Sequence, residues 1–460
     1  MPPSPNFLIF ITDHTNAQAL RPQSQCRTPN LDALAERGAR IEGMYTVNAI
    51  CSPSRATLMT GMHPSTHGVW DCTHTQRREW VDVRGYPFWS ERLAAAGYTC
   101  GHFGKWHVEQ SGKLDQYGFL EYDPDGSAKL KARARRLEIT KPGYRDYLMA
   151  GVDDEPPATH QAVDKGIDFV RRHGGDGPFV CVVSTAEPHD PYVPPASFLD
   201  TYDIDSIELS PTAHEDVAAK PEVVRRMAQI WEGLTDADWR LARACYFATV
   251  SFLDAEVGRA VDALEEAGVA EDTVVLFLSD HGDMLGAHGL ATKGIGTPYE
   301  EVYNIPLVAC GPGIAAQGSL PHRTSMVDLA PTLCDLAGAQ PLAGGQGRSL
   351  RPVLDGTADP AEWTSAYAEF YGQRFVYTQR IVWEGPWKYV FSPGGADELY
   401  NLDEDPEERH NLAGDAASRE RLEAMATAMW RKVKEIGDES LLHSHYATLR
   451  TAPVGPLVAD

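Results

Sequence analysis

Two pairs of metal-type ligands stand directly after apolar runs of the sequence. Asp13-His14 follows one such run, and Asp280-His281 follows another far along the chain. Ligands of open α/β sheets bind outside the carboxyl ends of the strands, so side chains from both segments could face one crevice. Carboxylate oxygens favour Ca²⁺, Mg²⁺ or Mn²⁺, and imidazole adds Mn²⁺ or Zn²⁺ to the candidates. Each Asp alone could equally cap the next turn; together they predict a divalent-metal site.

A cysteine and an arginine lie at the start of a predicted helix. In Ile50-Cys-Ser-Pro-Ser-Arg55, Ser52 is expected to cap the helix, with Pro53 at its first position. Cys51 then lies where the helix dipole favours an anion and lowers a thiol pKa. Arg55, one turn later, could bind a tetrahedral oxyanion. A buried structural cysteine and a thiolate nucleophile are alternatives, but cysteine phosphatases place five residues between Cys and Arg, whereas this segment has three.

Four further residues could supply positive charge or move protons. Lys105 and His107 stand two positions apart after a predicted strand, so they would share a face of extended chain. One could bind an anion while the other transfers a proton. His189 and Lys293 each lie in a turn-rich loop. Taken singly, each of the four is equally well explained as a structural residue.

Elements that could position these residues follow from the hydrophobic pattern. Short apolar runs alternate with amphipathic stretches, which include predicted helices from Asn30 to Gly38 and from Leu241 to Gly268. This alternation predicts a doubly wound α/β domain, with helices flanking a large, mostly parallel sheet. The predicted strands are Asn6 to Thr12, Thr99 to Gly104, Pro178 to Ser184, Thr273 to Ser279 and Ile305 to Cys310.

The pattern changes near residue 360. Ser365 to Phe370, Arg374 to Trp383 and Trp387 to Phe391 are predicted strands separated by Gly- and Pro-containing turns. A helix is predicted over Ala416 to Ile436. The sequence therefore predicts a large domain of residues 1–360 and a smaller C-terminal subdomain of antiparallel sheet plus helix, residues 361–460.

Composition excludes several classes of protein. The 460 residues are 43% hydrophobic and carry 41 basic and 65 acidic side chains, a net charge of −24. Such a chain can bury a large core, and it lacks the basic surface that nucleic acids or anionic membranes require. Apolar runs are too short to span a membrane or to form a signal peptide. Eight cysteines without tight spacing indicate no disulfide framework. We therefore expect a cytoplasmic protein.

Taken together, these motifs resemble the sulfatase family of the alkaline-phosphatase-like superfamily. Cys51-Ser-Pro-Ser-Arg55 matches the family's C-x-P-S-R maturation motif. The motif ends with Thr60-Gly61, as it does in other members of the family. The likeness covers most of the chain. Its other segments are Asn6 to Asp13, Gly104 to His107, Ser279 to Gly294 and Glu398 to Glu408.

The resemblance implies a chemistry for Cys51. In sulfatases a formylglycine-generating enzyme, which reads Pro53 and Arg55 within this motif, oxidises the cysteine to an aldehyde, and the aldehyde hydrates to a geminal diol. One diol oxygen attacks sulfur, giving a covalent sulfo-enzyme and releasing the alcohol. The second hydroxyl then loses its proton and expels inorganic sulfate. A cysteine or serine has no second hydroxyl and would stall at the ester.

The resemblance also implies roles for the other residues. Asp13, Asp280, His281 and modified Cys51 are similar to the family's metal ligands. Arg55 is similar to the residue that holds the diol, and His107 to the base that takes the second hydroxyl's proton. Lys105, His189 and Lys293 are similar to the cationic cradle for the sulfate oxygens, and His189 or Lys293 would protonate the leaving group.

Two positions depart from the common pattern of the family. His14 stands where many sulfatases have a second Asp, and His281 stands where many have Asn. Both changes replace hard oxygen donors by imidazole, which brings Mn²⁺ closer as a candidate. Ca²⁺ remains the expected metal, with Mn²⁺ or Mg²⁺ as alternatives. Related phosphonate monoester and phosphodiester hydrolases also vary at these positions.

Three functions remain open at this point. The first is a sulfatase acting on a small carbohydrate or aryl sulfate; the second is a phosphonate monoester or phosphodiester hydrolase with the same formylglycine and metal site. The third is a silent binding protein with an unmodified Cys51. Pocket walls would determine the substrate, and the candidates are Trp70, Tyr192 and the segment from Arg374 to Gln379.

Overall fold

The computed structural model describes residues 4–75, 83–124, 132–155, 157–374, 376–442 and 452–459. The strands are β1 (Asn6–Thr12), β2 (Ala39–Tyr45), β3 (Thr99–Gly104), β4 (Glu121–Asp123), β5 (Ala134–Ile139), β6 (Tyr147–Val152), β7 (Phe179–Ser184), β8 (Thr273–Ser279), β9 (Asn304–Cys310), β10 (Gly318–Ser325), β11 (Ser365–Gly372), β12 (Val376–Glu384), β13 (Trp387–Phe391) and β14 (Glu398–Asn401). The α-helices are α1 (Pro29–Arg37), α2 (Cys51–Thr60), α3 (Pro64–His67), α4 (Trp89–Ala95), α5 (Ala158–His173), α6 (Ala196–Leu199), α7 (Glu222–Trp231), α8 (Asp236–Glu266), α9 (Glu300–Tyr303), α10 (Leu329–Leu336), α11 (Arg351–Leu354), α12 (Arg419–Ile436) and α13 (Glu439–Leu442).

Within the described ranges eight strands form the large sheet, in the order β10-β2-β9-β8-β1-β7-β3-β4. Neighbouring strands are parallel except where β9 pairs with β8 and with β2. Within the described sheet β9 therefore runs against the other seven strands. The prediction of a large, mostly parallel sheet is confirmed, although the apolar run of β9 gave no sign of its direction.

Alternate residues of β1 pack on opposite faces of this sheet. Leu8 and Phe10 join the core beneath α5 and α8, and Phe7, Ile9 and Ile11 join the core beneath α2 and α10. Helices therefore cover both faces, as a doubly wound fold requires. None of the helices in the described ranges is long and apolar enough to cross a membrane.

Three strands of the large sheet, β2, β10 and the three-residue β4, escaped sequence prediction because they are polar. β2 carries Arg40, Glu42 and Gly43, and edge strand β10 carries Pro321 at an irregularity in its register. Proline is tolerated at a sheet edge, where a backbone donor has no partner to lose.

Strands β11 to β14 form a separate antiparallel sheet. Ala368, Phe370 and Ile381 on one face join the core of the large domain. Tyr367 and Tyr389 on the other face pack against α12. The predicted C-terminal sheet plus helix is confirmed, with β14 as an additional strand.

Candidate functional site

Strands β1 and β8 bring two carboxylates together. They pair in parallel through Thr12 and Ser279, so Asp13 and Asp280 leave the same sheet edge. One ligand atom each of Asp13, Cys51, Asp280 and His281 lies within 4.8 Å of the other three, and all four residues are buried. The His281 Nε2 atom lies 3.2 Å from Cys51 Sγ and 3.5 Å from Asp13 Oδ1.

The donors of this cluster fit a divalent cation. His281 Nδ1 lies 3.0 Å from the Gly282 carbonyl, which can only accept, so Nδ1 carries the proton of the neutral ring. Burial lowers the pKa of His281 to about 3, which keeps the ring neutral. Its Nε2 lone pair therefore faces the two carboxylates. Burial alone would raise the pKa of Asp280, but the positive charges of Arg55, Lys105 and Lys293 hold it below its usual range.

Cys51 is the first residue of buried helix α2, which begins two positions earlier than expected. Ser52 is not the cap, and that prediction is wrong: Ile50 precedes the helix, and the Ser52 hydroxyl accepts a 3.1 Å hydrogen bond from the Thr73 amide. The hydrogen bond with Cys72, followed by burial, raises the pKa of Cys51 well above its ordinary value. The expectation that the helix dipole would lower this pKa is therefore also wrong.

Arg55 ties α2 to the ends of three strands, β8, β7 and β3. Its Nε donates to Asp280 Oδ2 at 2.7 Å, and its Nη1 donates to Ser184 Oγ at 2.7 Å and to the Lys105 carbonyl at 3.1 Å. Its Nη2 is buried and has no hydrogen-bond partner among the residues that the structure describes. Buried donors without partners are costly, so this nitrogen indicates a place for an oxyanion or hydroxyl ligand.

Lys105 and His107 both reach the crevice, but the geometric argument for this was wrong. His107 has a backbone φ of 53°, so the chain turns there and does not extend. Lys105 Nζ contacts Asp13 Oδ2, and burial lowers the pKa of Lys105 to about 8. Burial, followed by the charge of Lys105, lowers the pKa of His107 to about 2. The His107 ring is therefore neutral.

His189 and Lys293 meet on the far side of Cys51. Lys293 Nζ lies 2.9 Å from His189 Nε2 and also contacts His14 Nε2. Burial, followed by the charge of Lys293, lowers the pKa of His189 to about 4. Burial alone would lower the pKa of Lys293, but its acidic neighbours, which include Asp190 and Asp280, raise it. The ammonium of Lys293 therefore holds the proton of this pair.

His14 belongs to a supporting network that the sequence did not reveal. Its Nδ1 lies 2.7 Å from Asp283 Oδ2. The Tyr192 hydroxyl donates to both oxygens of the same carboxylate, at 2.9 and 2.8 Å. Asp283 ends the segment Ser279 to Asp283, so its place in that motif was the available signal.

A cavity of about 510 Å³ opens above this cluster. Arg374 lines it, as expected, together with Gln373. Tyr192 is fully buried beneath it and forms no wall, so that prediction is wrong. The lining residues are Cys51, Asp71, Cys72, His74, Thr75, His107, Ile139, Tyr147, His189, Asp190, Met227, Ile230, Trp231, Thr292, Lys293, Gln373 and Arg374.

Other predicted wall residues lie near this cavity but outside its lining. Trp70 stacks on Tyr371, with ring centroids 5.2 Å apart, and remains 42% exposed. Gln379 is buried and donates to Ser392 Oγ within the C-terminal sheet. Substrate contacts from the C-terminal sheet are therefore expected at the start of the Arg374 to Gln379 segment.

The fold and the strand-end cluster define a hydrolase of the alkaline-phosphatase-like superfamily. The family model described as sulfatase matches residues 5–339, and the chain belongs to the sulfatase family of sulfuric ester hydrolases. A second model, described as the C-terminal part of N-sulphoglucosamine sulphohydrolase, matches residues 286–436.

Curated relatives and solved structures agree with this family. The chain is 32% identical to a choline-sulfatase of Rhizobium meliloti, over 89% of this chain and 82% of the relative. It is 30% identical to the uncharacterized sulfatase YidJ of Escherichia coli, over 89% of this chain and 83% of the relative. A phosphonate monoester hydrolase structure from Silicibacter pomeroyi superposes with a TM-score of 0.75 at 23% identity, covering 95% of this chain and 97% of the other. This last likeness concerns the fold alone.

Proposed function

We propose that this sulfatase is formylglycine-dependent and hydrolyses the sulfate ester of a small carbohydrate or aryl alcohol through a covalent sulfo-enzyme. One observation carries the proposal: Cys51 opens a buried helix, with its Sγ 3.2 Å from His281 Nε2 and 3.7 Å from Asp13 Oδ1. A cysteine converted at this position would place its new oxygens among the ligands of a cation.

The proposed cofactors are a divalent cation and formylglycine derived from Cys51. Asp13, Asp280, His281 and modified Cys51 would hold the cation, with Ca²⁺ favoured over Mn²⁺ or Mg²⁺. When bound, these groups supply a hydrated aldehyde oxygen as nucleophile and a Lewis acid that polarises it. A formylglycine-generating enzyme is accordingly the proposed maturation partner.

Arg55 and Lys105 would orient and neutralise the reacting groups. Arg55 Nη2 lies in the buried crevice without a hydrogen-bond partner among the described residues, and the two other nitrogens of the side chain are fixed by hydrogen bonds. Its remaining donor can therefore bind an oxygen without reorganising the guanidinium. Lys105, held against Asp13, adds positive charge for the sulfate oxygens.

His107 is the proposed base for sulfate release. Its lowered pKa keeps the imidazole neutral, and its Nδ1 is buried with no hydrogen-bond partner in the described part of the chain. A neutral ring with an unused nitrogen can take the proton of the second hydroxyl.

Lys293 is the proposed acid for the leaving alcohol. The sequence left His189 and Lys293 as alternatives, and the opposite directions of their pKa shifts favour Lys293 as the proton carrier. His189 Nδ1 lies 2.7 Å from the Asp190 carbonyl and carries the ring proton, so Nε2 would accept from Lys293 and would bind a sulfate oxygen only after gaining a proton. His14 contacts the same ammonium and would orient it.

The cavity supports a substrate with a small, partly apolar alcohol. Ile139, Tyr147 and Trp231 supply one wall, and Gln373 and Arg374 supply polar groups. A volume of about 510 Å³ accommodates a monocyclic alcohol beside the sulfate.

Two further sequence expectations remain proposals. The boundary near residue 360 is supported by the positions of α11, which ends at Leu354, and of β11, which begins at Ser365. The cytoplasmic location rests only on the sequence argument.

Matched esters of one alcohol test this function. Protein coexpressed with a formylglycine-generating enzyme should hydrolyse 4-nitrophenyl sulfate with a kcat/KM at least about tenfold above that for 4-nitrophenyl phenylphosphonate. Cys51→Ser protein, prepared in the same way, is the control for contaminating activity. A preference for the phosphonate ester would transfer the assignment to the phosphonate hydrolase alternative.

A further inference from the structure

A second group of metal-type ligands lies at the cavity wall, beside the proposed resident site. One ligand atom each of Cys72, His74 and His107 lies within 4.8 Å of the others. The His74 Nδ1 and His107 Nε2 atoms are 3.4 Å apart, and their rings are nearly parallel at 9°. Two imidazole nitrogens thus face each other next to a thiol.

This spacing matches the coordination geometry of zinc. Zn²⁺ binds imidazole nitrogen at about 2.0–2.1 Å in a tetrahedral arrangement, which separates two such nitrogens by about 3.3–3.4 Å. The observed separation of 3.4 Å agrees with this distance, and a modest rotation of each ring would direct both lone pairs to one ion. Cys72 supplies the soft sulfur donor that distinguishes a zinc-type set from the oxygen-rich cluster around Asp13.

The backbone around these ligands is held in place by hydrogen bonds. Asp71 accepts from the Cys72 amide at 2.7 Å and from the Thr75 hydroxyl at 2.9 Å. The Thr75 amide donates to the Cys72 carbonyl at 2.9 Å, which closes the turn that carries His74. The Asp71 carboxylate also places negative charge beside the group, offsetting Lys293 on the same cavity wall.

We propose that Cys72, His74 and His107 form a second, inhibitory site for a thiophilic divalent cation of the Zn²⁺ class. On binding, the Cys72 thiol releases its proton to solvent as the metal–sulfur bond forms, and both imidazoles donate a lone pair. The fourth position faces the cavity and takes water. The inhibitory part rests on the proposed function, because the cation would occupy the ring that is assigned to sulfate release.

Cobalt(II) is the probe for the site itself. Full-length Cys51→Ser protein, saturated with Ca²⁺, has no thiol in the resident cluster, so a thiolate-to-cobalt charge-transfer band must come from elsewhere. We expect one equivalent of Co²⁺ to produce this band. Cys72→Ser in the same background should abolish it and weaken Co²⁺ binding at least about 100-fold, since even supporting residues cost 10–100-fold in metal affinity. Cys334→Ser, which alters a buried thiol in α10, should leave it unchanged.

Circular dichroism verifies that every variant is folded. Absence of the band, or its persistence in Cys72→Ser, overturns the site whether or not the protein is a sulfatase. With matured protein and excess Ca²⁺, stoichiometric Zn²⁺ should lower turnover about 100-fold, and Cys72→Ser should relieve this loss. A cobalt band without zinc inhibition would overturn the inhibitory part and count against His107 as the base.

Discussion

Two buried arginines are held in different ways in this molecule. Arg380, in the C-terminal sheet, is 1% exposed, and all three of its nitrogens have partners. The main one is Asp438, 2.7 Å from Nη2. Arg55, at the strand-end crevice, is 2% exposed, and its Nη2 has no partner in the described part of the chain.

This difference separates a structural charge from a functional one. A buried donor without a partner costs free energy, and a chain that satisfies Arg380 so fully could have satisfied Arg55 as well. The crevice also leaves His107 Nδ1 without a hydrogen-bond partner in the described ranges. We infer that Arg55 Nη2 and His107 Nδ1 bind substrate or cofactor, whereas the Arg380 cluster holds β12 to the segment before α13.

The largest expected effect is at Asp280. Asp280→Ala should abolish metal binding and turnover together, lowering kcat by about 10⁴-fold or more, because it removes a metal ligand and the partner of Arg55. Metal analysis and steady-state kinetics measure both losses. The matched variant Asp438→Ala should keep its metal and lose about 3–5 kcal/mol of unfolding free energy. Turnover with normal metal content in Asp280→Ala would remove Asp280 from the ligand set.

Substitution of His107 should separate the two halves of the reaction. His107→Ala is expected to lower kcat by about 10²–10⁴-fold while one equivalent of alcohol is still released, because only sulfate release lacks its base. Intact-protein mass spectrometry under single-turnover conditions should detect the sulfated enzyme. His63→Asn, which alters a buried ring beneath Tyr367, should accumulate no adduct. If His107→Ala also shows none, the assigned role is wrong.

The two arginines themselves give the next largest effect. Because Arg55→Lys also alters the maturation motif, its kcat is expressed per formylglycine-containing molecule, as counted by mass spectrometry. So normalised, Arg55→Lys should lower kcat by about 10²–10³-fold, because lysine cannot present the free Nη2 donor while keeping the other hydrogen bonds. Arg380→Lys should leave kcat within about twofold of the parent value, and it should lower the free energy of unfolding more than Arg55→Lys does. Steady-state kinetics and denaturant unfolding measure kcat and the free energy of unfolding of both variants. Equal kinetic losses would erase the distinction between the two clusters.

A smaller effect concerns pH and Glu369, which lies beside Arg380. Burial raises the pKa of Glu369 to about 7, against an ordinary value of 4.5. Its stabilising contribution is present in full below pH 4.5 and disappears as the pH rises through 7, because the folded state binds the extra proton. Between pH 6 and 8 this amounts to about 1.4 kcal/mol. Urea unfolding should show that Glu369→Gln reduces the fall in stability by that amount; an unchanged pH dependence would contradict it.

Much of the fold could be predicted from the sequence because its central strands are short and fully apolar. The bounds of β1, β3, β8 and β13 agree with the predicted ones. The polar strands β2 and β10 were missed because partners in the sheet, and not their own residues, make them strands. The direction of β9 follows from its connections, which an apolar run does not encode.

Candidate site residues could be listed from motifs, but their surroundings could not. The sequence placed Cys51 beside a helix dipole and predicted a lowered thiol pKa, whereas contact with Cys72 and burial raise it. Cys72 lies 21 positions away in a segment without a motif. Likewise Tyr192 was expected in the pocket wall, and only the tertiary packing directs it to Asp283. The pKa of Cys51 and the position of Tyr192 therefore depend on contacts between distant segments, which the motifs do not describe.

Peptide mass spectrometry of the tryptic fragment that contains Cys51 tests the central claim most directly. The protein should be coexpressed with a formylglycine-generating enzyme, and Arg55→Lys, which alters the maturation motif, serves as the matched control. The account predicts an aldehyde at position 51 in the parent protein and far less in the control. An unmodified thiol in the parent, despite coexpression, would contradict the formylglycine mechanism and favour a thiolate enzyme or a silent binding protein.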